Sequence, residues 1–488
     1  MDSLDPYSFI EPVSRASSIF DLPTRNPARS NTDFITGEGL TSTYIQRGGV
    51  ISAGTFIVLS GGSGCNAFCS AFPQNQTCYV LPVTDDGGSS SEIIRVIGGP
   101  SIGDVRSRLI RLIRSTTPQV DSIKRLLAFR LPPQSEQEAR EMWREIIEGR
   151  SQLWKNIPPD RKELIRGFLV YFENEVLRRS HKAFAFSNGS IGNFFLAAAQ
   201  LFFRSLPSSI FLFQSISNSE VRFCSGSSPI LAHSTKGTIL PVLVTNHTVT
   251  IAADLDSGKR IVGQCNISHP VSSTDADVLE GLEDDEHDKS SSPQNVYFTK
   301  ATQTETSDLE GRIQRVYYIN AHGNEIYPHP NAEFLSNLNQ RQYLVYSCGS
   351  LWTSIIPCLA LRGIASGIAC SPSLKAKILL LNYKNDRETN GYTALDYVQA
   401  IATMLNRHDL TPRTAGTVTR PAYPVSAFVT HLVYLSDTPI QVQEEELAAM
   451  GVNCISVSRR GNKNGFNAEI VAQALDEIIA SLDDTDSP

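Results

Sequence analysis

The sequence predicts an α/β fold, a Rossmann-like three-layer sandwich on a mostly parallel sheet, with a small antiparallel addition and a helical insert. Three observations predict it. Short β-branched runs alternate with helical stretches at both ends of the 488-residue chain, the pattern of a doubly wound sheet. Several strand-to-helix junctions are rich in Gly, Ser and Asn, which suits tight turns opening onto a ligand. Between Thr238 and Ile267, the segments ILPVLVT, TVTIAADL and RIVGQCNI are separated by Asn246-His247 and Asp256-Ser257-Gly258, which reads as an antiparallel meander.

Residues 1–48 are rich in Ser, Asn, Asp and Pro without apolar periodicity and are expected to be a flexible leader. A single domain is expected over 49–484. Its first strand is TFIVL, Thr55 to Leu59, followed by Ser60-Gly61-Gly62-Ser63-Gly64 and a helix starting over Asn66 to Ala71. The second strand runs from Cys78 to Thr84, weakened by Pro82, and ends in Asp85-Asp86-Gly87-Gly88-Ser89-Ser90-Ser91. Asp104 to Arg130 reads as one amphipathic helix carrying Arg106, Arg108, Arg111 and Arg114. The helical insert covers 134–180, and Asn188 to Asn193 leads into a buried helix, FFLAAAQLFF. An acidic, Ser-rich stretch over 272–308 is expected to be a disordered insert. Regular structure resumes at Ile313 to Ile319. Strands then follow at Tyr343 to Tyr346, Lys377 to Leu381, Ala427 to Leu435 and Ile455 to Ser458, with a closing helix from Ala468 to Leu482.

Composition excludes several classes. With 41% hydrophobic and 19% charged residues the chain is neither collagen-like, nor a coiled coil, nor wholly disordered. A net charge of -7 supplies no global positive field, so neither nucleic acid nor membrane is expected as a partner. Much negative charge lies in 272–288, which leaves the body nearer neutral. Nine scattered cysteines without a C-x-x-C pair fit neither a disulfide framework nor a zinc knuckle. The first residues lack an apolar signal core, and the longest apolar run, Phe194 to Phe203, is too short to span a bilayer. A reduced, cytoplasmic protein is expected.

Six loops carry the candidate chemistry. Gly61, Gly62, Ser63 and Gly64 follow a strand in a Gly62-x-Gly64-x-x-Ala67 spacing, which lets a backbone approach a phosphate; the alternative is a tight turn without ligand. Asp85 and Asp86 are adjacent carboxylates at a strand end, suited to Mg²⁺ or to orienting or deprotonating an attacking hydroxyl; the alternative is an acidic helix cap. Asp85 also lies about 20 residues beyond the glycines, where a nicotinamide enzyme holds ribose hydroxyls. In Gly103-Asp104-x-Arg106, Arg106 is the phosphate candidate and the other arginines read as a solvated face. Ser190 and Asn193, then Gly349 and Ser350, place small polar residues where a strand meets a helix, and Asn382 opens a charged loop after another strand. No H-E-x-x-H or G-x-S-x-G motif is present.

Taken in order, FIVLSGGSG, VTDDGGSSSE, GDVRSRL, SNGSIGNFFLAA, ILPVLVTNHTVTIAADLDSGKRIVGQ, HPNAEFL, CGSLWTSIIPCL and KILLLNYKNDRETNGYTALDYV resemble the CofD-like family over about residues 54–482. That family includes 2-phospho-L-lactate transferase and the bacterial gluconeogenesis factor, and the inserts suggest a eukaryotic, fungal-like member. The resemblance implies transfer of a 2-phospholactyl-type group from a nucleoside diphosphate carrier to a hydroxyl acceptor, a deazaflavin in the transferase branch, with Mg²⁺ assisting. By motif position, Asp86 would face the acceptor or metal, the first glycine loop the phosphates, and Asn193 and Ser350 the same cleft. DDGGSSS and GDVR look closer to the gluconeogenesis-factor branch, which implies a nucleotide-sugar-binding regulator without turnover. A nicotinamide-dependent oxidoreductase is a third reading, and the resemblance makes a homodimer plausible.

Overall fold

The computed structural model describes residues 50–179, 181–217, 238–269, 308–409, 422–459 and 465–485. The expected leader over 1–48 lies outside these residues, as does the expected acidic insert over 272–308 apart from Asp308. The strands, in chain order, are β1 Phe56–Leu59, β2 Thr77–Leu81, β3 Thr238–Pro241, β4 Thr250–Leu255, β5 Arg260–Val262, β6 Ile313–Ile319, β7 Glu325–Ile326, β8 Tyr343–Tyr346, β9 Ala376–Leu380, β10 His431–Leu435 and β11 Asn453–Val457. Seven of them form one sheet in the order β11-β10-β9-β8-β1-β2-β3, with every neighbouring pair parallel. The other four form an antiparallel sheet in the order β5-β4-β6-β7.

The α/β class is therefore as the sequence predicts. β1 (FIVL) and β2 (TCYVL) are buried at every position, which is why they read as continuous apolar runs: helices cover both faces of a parallel sheet. Each half of the sheet starts beside β1. The chain steps outward through β2 and β3, then returns to β8 on the other side of β1 and continues to β11. The switch point lies between β1 and β8, where the loops carrying Gly61 to Gly64 and Gly349-Ser350 emerge.

The first half carries α1 Gly88–Val96, α2 Gly103–Leu112, α3 Pro118–Ala128, α4 Glu136–Ile147, α5 Pro159–Arg178, α6 Ile191–Phe203 and α7 Leu206–Ser217. The helix expected over Asp104 to Arg130 is thus two helices. Thr117 caps α3 by accepting the Val120 N–H at 3.3 Å, and Pro118 supplies the fixed φ of a first helical residue while ending any continuation of α2. The helix expected from Asn66 is instead two short 3₁₀ turns, Gly64–Ala67 and Cys69–Ala71. Pro73 bars the helical region to Phe72, and the Asn66 side chain turns back to the Gly62 carbonyl at 2.8 Å. α4 and α5 occupy the stretch expected to be helical over 134–180, and α6 buries its first ten residues, Ile191 to Gln200.

The expected meander is corrected in two places. ILP, apolar throughout, pairs parallel with β2 as β3 and leaves the antiparallel sheet to β4, β5, β6 and β7. The end of RIVGQCNI turns at Gly263 into a short helix, α8 Gln264–Ser268. In the second half, α9 Ala332–Leu338, α10 Ile356–Leu359, α11 Ile364–Ala369, α12 Ala394–Asp409, α13 Glu444–Ala449 and α14 Ala468–Thr485 alternate with the strands. No helix among the described residues is long and apolar enough to cross a membrane.

Candidate functional site

The C-terminal ends of β1 and β2 and the N-terminal turns of α1 and α2 enclose a cleft of about 180 Å³, lined among others by Gly62, Ser63, Asp85, Asp104, Arg106, Arg130 and Asn193. Of the residues picked from the sequence, it therefore brings together Gly62, Ser63, Asp85, Arg106 and Asn193. Ser190 stands behind them, buried, capping α6 by accepting the Asn193 N–H. A chain of side-chain hydrogen bonds fixes the wall: Arg106 Nε donates to Asn193 Oδ1 at 3.2 Å, and Asn193 Nδ2 donates to Ser89 Oγ at 2.6 Å.

The two adjacent aspartates do different work. Asp85 faces the cleft, with Oδ1 accepting the Gly87 N–H at 3.1 Å and Oδ2 accepting Ser90 Oγ at 3.4 Å. Asp86 turns to the antiparallel sheet, where its Oδ1 accepts the Cys265 N–H at 2.7 Å in the first turn of α8. A Cβ on Gly263 would sit 2.6 Å from the other Asp86 oxygen, so the carboxylate is closely packed on that turn.

Asp104 is the second carboxylate of the cleft and lies in the Gly103-Asp104-x-Arg106 motif, of which only Arg106 is a candidate from sequence. Its Oδ2 is buried without a hydrogen-bond partner among the described residues. Burial raises the Asp85 and Asp104 carboxyls above the ordinary range, with the charge of Asp86 adding to the first and that of Asp85 to the second. Arg130 is the other addition. Its Nη1 donates to the Asn188 carbonyl, and a bridge between residues 130 and 190 seats it in the cleft, a long-range contact that leaves no local signal. Burial first, and then the like charge of Arg130, lower the Arg106 guanidinium to about 10. Two cations and two carboxylates thus share one small cleft.

The loop after β8 behaves differently from expectation. Gly349 and Asn382 hold each other, the Gly349 N–H donating to Asn382 Oδ1 at 2.9 Å and Asn382 Nδ2 to the Gly349 carbonyl at 2.8 Å. Beyond Ser350, the N–H groups of Trp352 and Thr353 donate to Oε2 of buried Glu388 at 3.0 and 3.1 Å. These donors at the helix start are satisfied by the protein's own carboxylate, and Gly349, Ser350 and Asn382 do not line the cleft. Gly64 connects the two loops, since a Cβ there would overlap the Cys348 carbonyl and lie 2.9 Å from Gly349 Cα. Gly61 is likewise packed, its Cβ position lying 2.5 Å from Ser354 Oγ.

An Mg²⁺ ion fits this donor set. Among the described residues no group of three or more His, Cys, Asp and Glu side chains is placed to hold a metal. Two carboxylates completed by substrate phosphates are nevertheless an ordinary Mg²⁺ environment, Asp85 and Asp104 line the same cleft, and Asp104 Oδ2 has no hydrogen-bond partner among the described residues. The nicotinamide reading is weakened, because the 3₁₀ turns after the first loop provide no regular helix N-terminus for a pyrophosphate.

A family profile described as 2-phospho-L-lactate transferase CofD matches residues 56–458. The chain is 32% identical over 463 residues to the uncharacterized protein YNL011C of Saccharomyces cerevisiae, covering 86% of this chain and 98% of that protein. It is 30% identical over 160 residues to a gluconeogenesis factor of Halalkalibacterium halodurans, covering 30% of this chain and 45% of that protein. In structure it is similar to a UPF0052 family member from Bacillus halodurans, with a TM-score of 0.52 at 19% identity, covering 86% of this chain and 98% of the other.

Proposed function

This chain belongs to the 2-phospho-L-lactate transferase CofD family, and from that premise we propose that its cleft binds a nucleoside diphosphate-linked small molecule and transfers a 2-phospholactyl-type group to a hydroxyl acceptor. One observation carries the reading: Arg106 and Arg130 share a single cleft with Asp85 and Asp104 at the C-terminal edge of the sheet. The guanidiniums match the charge of a diphosphate, and the carboxylates offer a base and a cation site. Asp85 would take the proton of the acceptor hydroxyl. The acceptor oxygen forms a bond to the phosphorus bearing the lactyl group as that phosphorus loses its bridging oxygen, and the nucleoside monophosphate leaves with the electron pair. Arg106 and Arg130 stay in place through the step and stabilise charge by position, which is the larger part of catalysis in such displacements. Asp85 and Asp104 would hold Mg²⁺, which when bound neutralises phosphate charge.

A second reading is a nucleotide-sugar-binding regulator without turnover. The 160-residue match to a gluconeogenesis factor favours it. The separating experiment is thermal unfolding with GDP or UDP-sugars, with and without Mg²⁺, followed by an assay for transfer to a panel of hydroxyl acceptors. A ligand at about 100 times its dissociation constant adds about 2.7 kcal/mol of stability. Asp85→Asn and Asp104→Asn are each expected to remove the Mg²⁺-dependent part of that gain. Stabilisation without transfer selects the regulator; no stabilisation by any nucleoside diphosphate rejects both readings.

A further inference from the structure

Arg108 was expected on a solvated helix face and is instead fully buried, with 0% of its surface exposed. It lies beneath the first glycine loop. Its Nη2 donates to Ser60 Oγ at 3.2 Å and to the Gly61 carbonyl at 3.3 Å, and its guanidinium lies 5.0 Å over the Tyr79 ring. Nε and Nη1 have no hydrogen-bond partner among the described residues.

The surrounding bonds show what this buried cation does. Asp104, Ser107, Arg108 and Arg111 recur at the i, i+3, i+4, i+7 spacing of one helix face, so α2 presents all four to the loop. Ser107 Oγ donates to the Gly62 carbonyl at 2.7 Å, and Arg111 Nε donates to the Asn66 carbonyl at 2.9 Å. Asp104 packs directly on the loop, its Oδ1 and Cα lying 2.4 and 2.8 Å from where a Cβ on Gly62 would stand. The peptide between Gly61 and Gly62 is therefore held on both sides from one helix, its C=O bonded by Arg108 and its Gly62 end packed against Asp104. A trans peptide is planar, so bonding its carbonyl and packing the next Cα restricts the plane. The next peptide has its carbonyl held by Ser107, which turns the Ser63 N–H away from α2.

We propose that Arg108 is a positioning residue for the phosphate-binding loop, clamping the peptide between Gly61 and Gly62 so that Ser63 is presented to the cleft. A buried guanidinium with two donors outside any hydrogen bond costs stability, which fits a role in the loop's geometry rather than in the fold. The inference rests on the reading that the cleft takes a diphosphate, but its first readout does not.

The test compares wild type with Arg108→Met, which fills the same space without charge. Hydrogen exchange is measured in ligand-free protein at Ser60 and Asn66, whose N–H groups close the loop on the Val80 and Ser63 carbonyls at 3.2 and 3.0 Å. The binding of Mg²⁺ with GDP or a UDP-sugar is then measured by calorimetry. Arg108→Met is expected to speed exchange at these two amides, to keep or raise the thermal midpoint, and to weaken the nucleotide that binds wild type by about ten- to a hundredfold. Arg108→Lys, whose shorter side chain keeps the charge but withdraws the donor from the Nη2 position that serves both acceptors, should loosen the loop as well and recover part of the affinity. Unchanged exchange in Arg108→Met, or a lowered midpoint with unchanged affinity, overturns the proposal. A loosened loop in a protein whose wild type binds no nucleotide leaves the clamp standing and rejects the diphosphate reading instead. Should Arg108→Met fail to fold, Ser107→Ala, which removes the adjoining bond to the Gly62 carbonyl, must speed exchange at the same amides for the clamp to stand.

Discussion

Asp85 and Asp86 are neighbours with opposite duties, and the difference comes from what each carboxylate touches. Asp85 opens on the cleft, while Asp86 ties the end of β2 to the first turn of α8. Asp86→Ala should therefore lower stability by about 1–3 kcal/mol, the cost of a broken hydrogen bond to a charged group, and leave the affinity for Mg²⁺ with nucleotide nearly unchanged. Asp86→Asn keeps an acceptor for the Cys265 N–H and should cost less. Urea unfolding and calorimetry check both, and a loss of Mg²⁺ affinity in Asp86→Asn would return Asp86 to the metal. Sequence showed a pair of carboxylates at a strand end but not which faces the cleft, because α8, which claims one of them, lies far along the chain. The four arginines of GDVRSRLIRLIR illustrate the same gap. Periodicity puts Arg108 on a face without saying whether that face meets solvent or the glycine loop.

Local signals set most elements and tertiary contacts their ends. The break between α2 and α3 was readable in Thr117-Pro118, a cap followed by proline, although the apolar periodicity on both sides favoured one helix. The turn Leu351–Ile355, which runs into α10, could not be read. Its first N–H groups look available to an anion until Glu388, supplied by the loop after β9, fills them. Burial, and next the charge of Asp386, hold the Glu388 carboxyl above its ordinary range. A raised folded-state value means that stability is full below the unfolded value of about 4.3 and is lost as the pH climbs through the raised one. Glu388→Gln can accept both backbone N–H groups through its oxygen and donate to Thr353 Oγ1 through its amide. It should abolish that loss and exceed wild type by at least about 1 kcal/mol in alkaline solution, as read from denaturant midpoints across pH. A decline with pH of the same size in both proteins would remove Glu388 as its source.

Across the whole molecule, the order β11-β10-β9-β8-β1-β2-β3 decides where a ligand can sit. Both halves of the sheet diverge from β1, so the loops after β1 and β8 face each other across the switch point, with Gly64 against Cys348 and Gly349. Gly64→Ala should force them apart, costing about 1–3 kcal/mol as other overpacked sites do and weakening nucleotide binding along with stability. Equal stability and affinity in that variant would show the contact to be slack. The sequence by itself determined the α/β class, most strands of the parallel sheet, the helical stretch over α4 and α5, and the glycine loops, because strand and helix periods and turn residues are local properties. Family membership was also legible, since motifs survive in order. Only the tertiary structure decided that ILP joins the parallel sheet and that Asp104 and Arg130 complete the cleft. It also decided that Asp86 and Glu388 serve helix starts and that Arg108 grips the first loop from below. Each of these depends on which distant segment satisfies a buried charge or backbone group, and that pairing is set by packing rather than by spacing along the chain.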